Sequence, residues 1–196
     1  MEELYLKRNP EFIIFTGPMF SSKTTRLLAA IDRLRYQNRN VVAFKPSLDE
    51  RYSQSKICTH NGGEIDAHVV KSGNDIVRII DTYDEAVNVI AVDEAFMIEG
   101  VADALLSIFR SGKTVAVSSL QLSATGNVFE EIRDMMPWAT KIEVCPAVCT
   151  VTGQDAYYTH RKFNNMEEIT VGGSDLYEPR CWFYHSFMNQ SKVTGE

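Results

Sequence analysis

Residues 12–28 read FIIFTGPMFSSKTTRLL: an apolar run of β-branched and aromatic residues, a Gly-Pro turn, then the opening of a helix. Gly17, Pro18, Met19, Phe20, Ser21, Ser22, Lys23 and Thr24 fit the pattern G-x-x-x-x-G-K-[ST], except that Ser22 stands where the second glycine belongs. Such a loop turns successive backbone N–H groups and a helix N-terminus toward phosphate oxygens. The expected ligands are ATP and Mg²⁺, with Lys23 reaching the β and γ phosphates and Thr24 ligating the metal. Ser22 adds a side chain where backbone must approach closely, and serine is the smallest polar substitute for glycine there. The plain alternative is a Gly-Pro turn that caps an ordinary helix.

Outward from this loop, short apolar runs alternate with helix-period segments. Phe12–Thr16, Val41–Lys45, Asp66–Val70, Val87–Val92 and Thr114–Ser118 read as strands. Most are continuously apolar, as strands of a parallel sheet covered on both faces must be, so the fold class predicted is α/β. The helix after the loop starts near Thr24 or Thr25, carries Leu27, Leu28, Ile31 and Leu34 on one stripe, and ends near residues 37–40. Further helices are predicted over Asn74–Ile80, Val101–Arg110 and Val128–Met136, the last stopped by Pro137 just before another strand-like run. From about Cys145 glycine and asparagine clusters, tyrosines and short strand-like pieces take over. The organisation expected is a nucleotide-binding domain over 1–144 and a small second domain over 145–196.

The segment VNVIAVDEAF, residues 87–96, ends an apolar strand in two carboxylates, Asp93 and Glu94. They fall at the carboxyl edge of the sheet, where open α/β folds place ligands. In a phosphate-loop enzyme the first orients Mg²⁺ and the second can take a proton from the nucleophile. Water as nucleophile makes an ATPase and a substrate hydroxyl makes a kinase; the Asp-Glu pair alone does not choose.

With 196 residues the chain can bury a core without covalent staples, and its four cysteines, Cys58, Cys145, Cys149 and Cys181, are too sparse for a secreted disulfide scaffold. The amino terminus MEELYLKRNPEF lacks the cationic and apolar regions of an export signal, and no apolar stretch approaches the roughly 20 residues of a membrane helix. Cytoplasmic residence is expected, in a host cell if the source is viral, with no membrane partner. Twenty-six acidic against 20 basic residues give a formal charge of −6, which disfavours a duplex-binding surface and a DNA-dependent ATPase.

GPMFSSKTT, KPSLDERYSQSKICTH, VDEAF, and AVCTVTGQDAYYTHR with VGGSDLYEPRC resemble, in order and spacing, the cellular and viral type II thymidine kinase family. The resemblance runs over nearly the whole chain. It implies a RecA-like phosphate-loop domain with a parallel central sheet and a small C-terminal lasso domain. It also implies transfer of the γ-phosphoryl of ATP to the 5′-hydroxyl of thymidine, giving dTMP. Carried across position by position, it makes Glu94 the general base, Asp93 and Thr24 the Mg²⁺ region, and Asp49 and Arg51 the segment facing metal and phosphates. Met19, Leu120, Thr159 and Tyr177 match the nucleoside site, while His60 reads as a polar structural residue. A homotetramer and feedback binding of dTTP are further implications.

Two departures accompany the match. The family has two Cys-x-x-Cys or Cys-x-x-His zinc pairs in the lasso, and here Cys149 and Cys181 remain while Thr152 and Tyr184 occupy the partner positions. Either Cys145 with Cys149 and Cys181 with His185 converge on Zn²⁺ through longer spacings, or Thr152, Tyr184 and Trp182 pack where the metal would be. After Asp93-Glu94-Ala95 the family's Gln-Phe is replaced by Phe96-Met97, which reads as altered packing. A non-catalytic nucleotide-binding or regulatory relative is the alternative these departures motivate.

Overall fold

A computed structural model describes residues 8–49, 55–59, 61–83, 86–163 and 172–189. The opening apolar run is strand β1 (Phe12–Thr16), buried along its whole length. The phosphate-loop segment leads into α1 (Lys23–Tyr36), followed by β2 (Val41–Pro46), β3 (Lys56–Cys58), β4 (Glu64–Asp66), β5 (His68–Val70) and α2 (Gly73–Ile80). Next come β6 (Val89–Val92), α3 (Val101–Arg110), β7 (Thr114–Ser119), α4 (Glu130–Met135) and β8 (Lys141–Val144). The chain then makes short strands: β9 (Ala147–Val148), β10 (Asp155–Ala156), β11 (Tyr158–Arg161) and β12 (Tyr177–Arg180).

Six strands form one sheet in the order β5-β2-β6-β7-β1-β8, all pairs parallel. The α/β class with a parallel central sheet is therefore as expected. Alternation along the strands sorts two cores. Phe12, Ile14, Val42, Phe44, Ile90, Val92, Val115 and Val117 pack on one face with Ile76 of α2, Leu105 of α3 and Ile132 of α4. Ile13, Phe15, Ala43, Ala91 and Ala116 face the other side, against Leu27, Leu28 and Ile31 of α1. Three alanines on that face let α1 lie close to the sheet. Fully burying each of its large aliphatic side chains contributes about 1.5–3 kcal/mol.

The predicted strand Asp66–Val70 is two strands. β4 pairs antiparallel with β3, and β5 joins the edge of the main sheet beside β2. The switch falls at Ala67, whose N–H donates to the Ser55 carbonyl. His68 and Val69 stay exposed because this edge strand is not doubly covered. After β8, β9 with β10 and β11 with β12 form small antiparallel pairs. Among the described residues no helix is long and apolar enough to cross a membrane.

Candidate active site

β1, β2, β6 and β7 run parallel, so their carboxyl ends open on one edge, and β7 lies between the strand before the phosphate loop and the strand before Asp93. A cleft of about 350 Å³ at this edge is lined by Lys23, Thr24, Lys45, Asp49, Asp93 and Glu94, together with Met19 to Ser22 and Thr59. Gly17 opens the loop at φ +147°, and a Cβ there would run into the Cys145 carbonyl oxygen. Only glycine fits. Phe20 and Ser22 both take left-handed backbone, at φ 65° and 59°. Ser22 is exposed on the cleft wall and immediately precedes α1, with no side-chain capping hydrogen bond. Its cost is conformational, about 1 kcal/mol relative to glycine.

Lys23 is buried, and its Nζ donates to the Pro18 carbonyl at 2.6 Å, folding back over the loop as the Ser21 hydroxyl does at 2.8 Å. On the next residue, Thr24 Oγ1 lies 3.1 Å from Asp93 Oδ1 and 3.3 Å from Oδ2. The Ser118 hydroxyl donates to the same carboxylate from β7. Asp93 is buried, and its carboxyl is pushed up to about 7 by loss of solvent and then by the neighbouring Glu94 charge, against the opposing hydrogen bonds from Ser118 and Thr24. A carboxylate so placed is short of positive charge. The donor set of Asp93, the Thr24 hydroxyl and Asp49, all oxygen, fits a hard divalent cation such as Mg²⁺. Asp49 itself is buried, 3.9 Å from Lys45 Nζ.

Glu94 has left-handed backbone, φ 48° and ψ 45°, at the start of a 3₁₀ turn over Ala95–Met97. Phe96 enters the large core and stacks at 4.6 Å on Phe129, so the Phe96-Met97 departure is a packing change. Arg51 and His60 lie outside the described residues.

Of the positions matched to the nucleoside site, Met19 lines the cleft, whereas Leu120, Thr159 and Tyr177 are not on its wall. Thr159 Oγ1 accepts from the Met19 N–H at 3.0 Å, tying β11 to the phosphate loop. Leu120 is buried in the same apolar cluster that Met19 packs against. Tyr177 is buried under the Arg161 guanidinium, 5.8 Å from its ring centre, and from the tail it is Gly173 that reaches the cleft.

A sequence profile of the thymidine kinases matches residues 11–185. The chain belongs to the thymidine kinase family. It is 36% identical over 176 residues to a thymidine kinase of Pyrobaculum aerophilum, covering 86% of this chain and 95% of that one. A thymidine kinase of Thermococcus kodakarensis is 35% identical over 182 residues, 88% and 92% of the two chains. The solved structure of the ATPase DotB of Legionella pneumophila aligns with 79% of this chain and 46% of its own, at TM-score 0.44 and 15% identity.

In this thymidine kinase family member the candidate zinc donors lie in separate places. Cys149 and Cys181 share a small buried cluster with Ala156. Thr152 Oγ1 lies 3.8 Å from Cys181 Sγ. Burial opposes ionisation of Cys149, but hydrogen bonds from Thr152 and from backbone N–H groups outweigh it and bring the thiol down to about 6. Cys145 is elsewhere, in the α1-facing core, with its N–H on the Thr16 carbonyl at 2.7 Å. His185 is buried, with Nε2 2.8 Å from the Thr159 carbonyl and Nδ1 accepting from the N–H groups of Phe187 and Met188. Burial lowers its pKa, keeping the ring neutral. The four candidates therefore do not converge, and among the described residues no three His, Cys, Asp or Glu side chains form a metal-binding group. The alternative packing is half right: Thr152 fills in beside the thiols, but Trp182 and Tyr184 are turned outward, 46% and 43% exposed.

Reading the sequence missed Lys45, Ser118 and Ser119 as site residues. Lys45 is the penultimate residue of β2, and Ser118 and Ser119 end β7; a polar side chain at the carboxyl end of an apolar strand was the available signal.

Proposed function

We propose that the protein is a thymidine kinase that moves the γ-phosphoryl group of ATP to the 5′-hydroxyl of thymidine, giving dTMP. The observation that carries this reading is one cleft, in a chain of this family, lined by Lys23, Thr24, Asp93 and Glu94 together. Lys23 would leave the Pro18 carbonyl for the β and γ phosphates, and loop N–H groups from Pro18 to Thr24, Pro18 excepted, would hold the phosphate chain. Thr24, Asp93 and Asp49 would hold Mg²⁺, which when bound supplies charge neutralisation on the β and γ oxygens. Glu94 would accept the 5′-hydroxyl proton as the new O–P bond forms and the bond to ADP breaks. Arg51 is assigned to the transferred phosphoryl by the family match alone.

Residues 145–196 would form the lasso that closes on the nucleoside, with Met19, Leu120, Thr159 and Tyr177 shaping the site. In that case Leu120 and Tyr177, both buried without ligand, act by backing the residues that touch the base. Closure would exclude water and so limit wasteful hydrolysis of ATP. Cytoplasmic residence, assembly as a homotetramer and feedback binding of dTTP belong to the same proposal and rest on the family alone. The second reading, a non-catalytic relative, has no specific support in the cleft.

The test is an assay of purified protein with ATP, Mg²⁺ and thymidine. Formation of dTMP is expected, with Glu94→Gln reducing turnover at least about 100-fold and leaving ATP binding intact. Absence of phosphoryl transfer to any deoxynucleoside would sink the reading, and full activity of the variant would remove Glu94 as base.

A further inference from the structure

We infer that Ser118 and Ser119, the last two residues of β7, are positioning residues that hold Glu94 in its left-handed backbone conformation and so aim its carboxyl group at the cleft. This inference rests on the reading of Glu94 as the base.

A glutamate has no intrinsic preference for left-handed backbone, and holding it there costs about 1–2 kcal/mol that the surroundings must offset. At Glu94 both flanks are tied to the same strand end. On the N-terminal side, Asp93 accepts from the Ser118 hydroxyl, and its N–H donates to the Phe44 carbonyl at 3.0 Å. On the C-terminal side, the Phe96 N–H donates to Ser119 Oγ at 3.2 Å, within the core. Consecutive residues of a strand point to opposite faces, so a pair of adjacent serines can reach both sides of the turn at once. Both serines are fully buried, where each hydrogen bond is protected from competing water.

Ser119 does more than hold Phe96. Its carbonyl accepts from the Thr16 hydroxyl at 3.1 Å, and Thr16 is the residue immediately before Gly17 of the phosphate loop. Thr24, on the far side of that loop, meets Asp93. The loop and the Glu94 turn are therefore joined at two places, through the end of β7 at Thr16–Ser119 and directly at Thr24–Asp93. The spacing between the phosphate cradle and the base is set by this strand, which explains why a polar pair ends an otherwise apolar run, VAVSS.

The experiment is a double-mutant cycle with Ser119→Ala and Glu94→Gln, read by steady-state kinetics and nucleotide titration. Ser119→Ala is expected to lower kcat about tenfold or more while the KM for ATP stays within about twofold, because it displaces the base rather than the phosphate cradle. In the Glu94→Gln background the same change is expected to cost nothing further. Ser119→Thr, which restores the hydroxyl, is expected to recover turnover. If Ser119→Ala fails to fold, Ser119→Cys replaces it with similar volume and a weak acceptor, and the same drop in kcat is expected.

Wild-type kcat in these hydroxyl-removing variants would overturn the inference. So would equal losses in both backgrounds, which would mark a purely structural role. If Glu94→Gln alone kept full activity, the assignment of the base would fail instead, and the two failures are distinguishable.

Discussion

The Thr24 hydroxyl touches both oxygens of the Asp93 carboxylate, 3.1 and 3.3 Å away, although 69 residues separate them in sequence. The contact joins the first turn of α1 to the end of β6, and with Ser118 it wraps a buried acid in hydroxyl donors. Its acid–base consequence can be tested without substrate. Asp93 rises from 3.8 to about 7 in the fold, chiefly through burial and then through Glu94. The fold thus prefers the protonated form. The stabilisation from this group is complete below about 3.8 and is lost as pH climbs through about 7. Thermal melts in chelator should show a falling midpoint from pH 5 to pH 8, and Asp93→Asn should flatten that slope. An unchanged slope in the variant would exclude Asp93 as its source.

Ser22→Gly should stabilise the protein by about 0.5–1 kcal/mol, since glycine adopts φ 59° freely and the exposed serine makes no capping hydrogen bond that glycine would lose. Denaturant melts measure the gain, and turnover should stay within about twofold. A large rise in activity would instead mean that the serine impairs phosphate alignment.

Gly17→Ala should do the opposite, because its methyl group meets the Cys145 carbonyl and its φ of +147° is unfavourable for any side chain. Loss of ATP binding in a titration, together with a stability loss of about 1–3 kcal/mol, is expected. Wild-type affinity would show that the loop relaxes around the methyl.

Lys23→Met should leave the fold in place and lower kcat/KM for ATP by about 100-fold or more, as the buried ammonium is the cation nearest the loop backbone. Circular dichroism separates this from unfolding. Retained kcat/KM would move phosphate recognition elsewhere in the cleft.

Chelator should not change the melting midpoint of the purified protein, and its zinc content should be substoichiometric, since Cys145 and His185 stand apart from the Cys149–Cys181 cluster. One zinc per chain, with a midpoint lowered by chelator, would show that further donors complete the site.

The parts legible in the sequence were those set by local pattern. Leu27, Leu28, Ile31 and Leu34 repeat at helical spacing and are the buried stripe of α1, and α3 occupies the predicted residues Val101–Arg110. The cleft residues Lys23, Thr24, Asp93 and Glu94 announced themselves by motif and strand end. What did not show was partnership across the sheet. That β7 would sit between β1 and β6, making Ser118 and Ser119 neighbours of the Glu94 turn, depends on strand order, which no single stretch encodes. The division of Asp66–Val70 into two strands likewise depends on a change of partner at Ala67. Of the two arrangements that the sequence left open for the C-terminal cysteines, the converging one paired Cys145 with Cys149 by spacing alone, whereas the sheet keeps the first and the antiparallel tail keeps the second.

Cys145 bears on how this protein can be dissected. Its N–H holds Thr16 and its carbonyl oxygen lies against Gly17, so the residue just past β8 is the floor of the phosphate loop. Severing the chain after Val144 would therefore not release a self-sufficient nucleotide-binding fragment. It would take away the surface on which that loop rests. Two separately expressed halves should bind ATP only when mixed, and a useful fragment must run at least through Pro146.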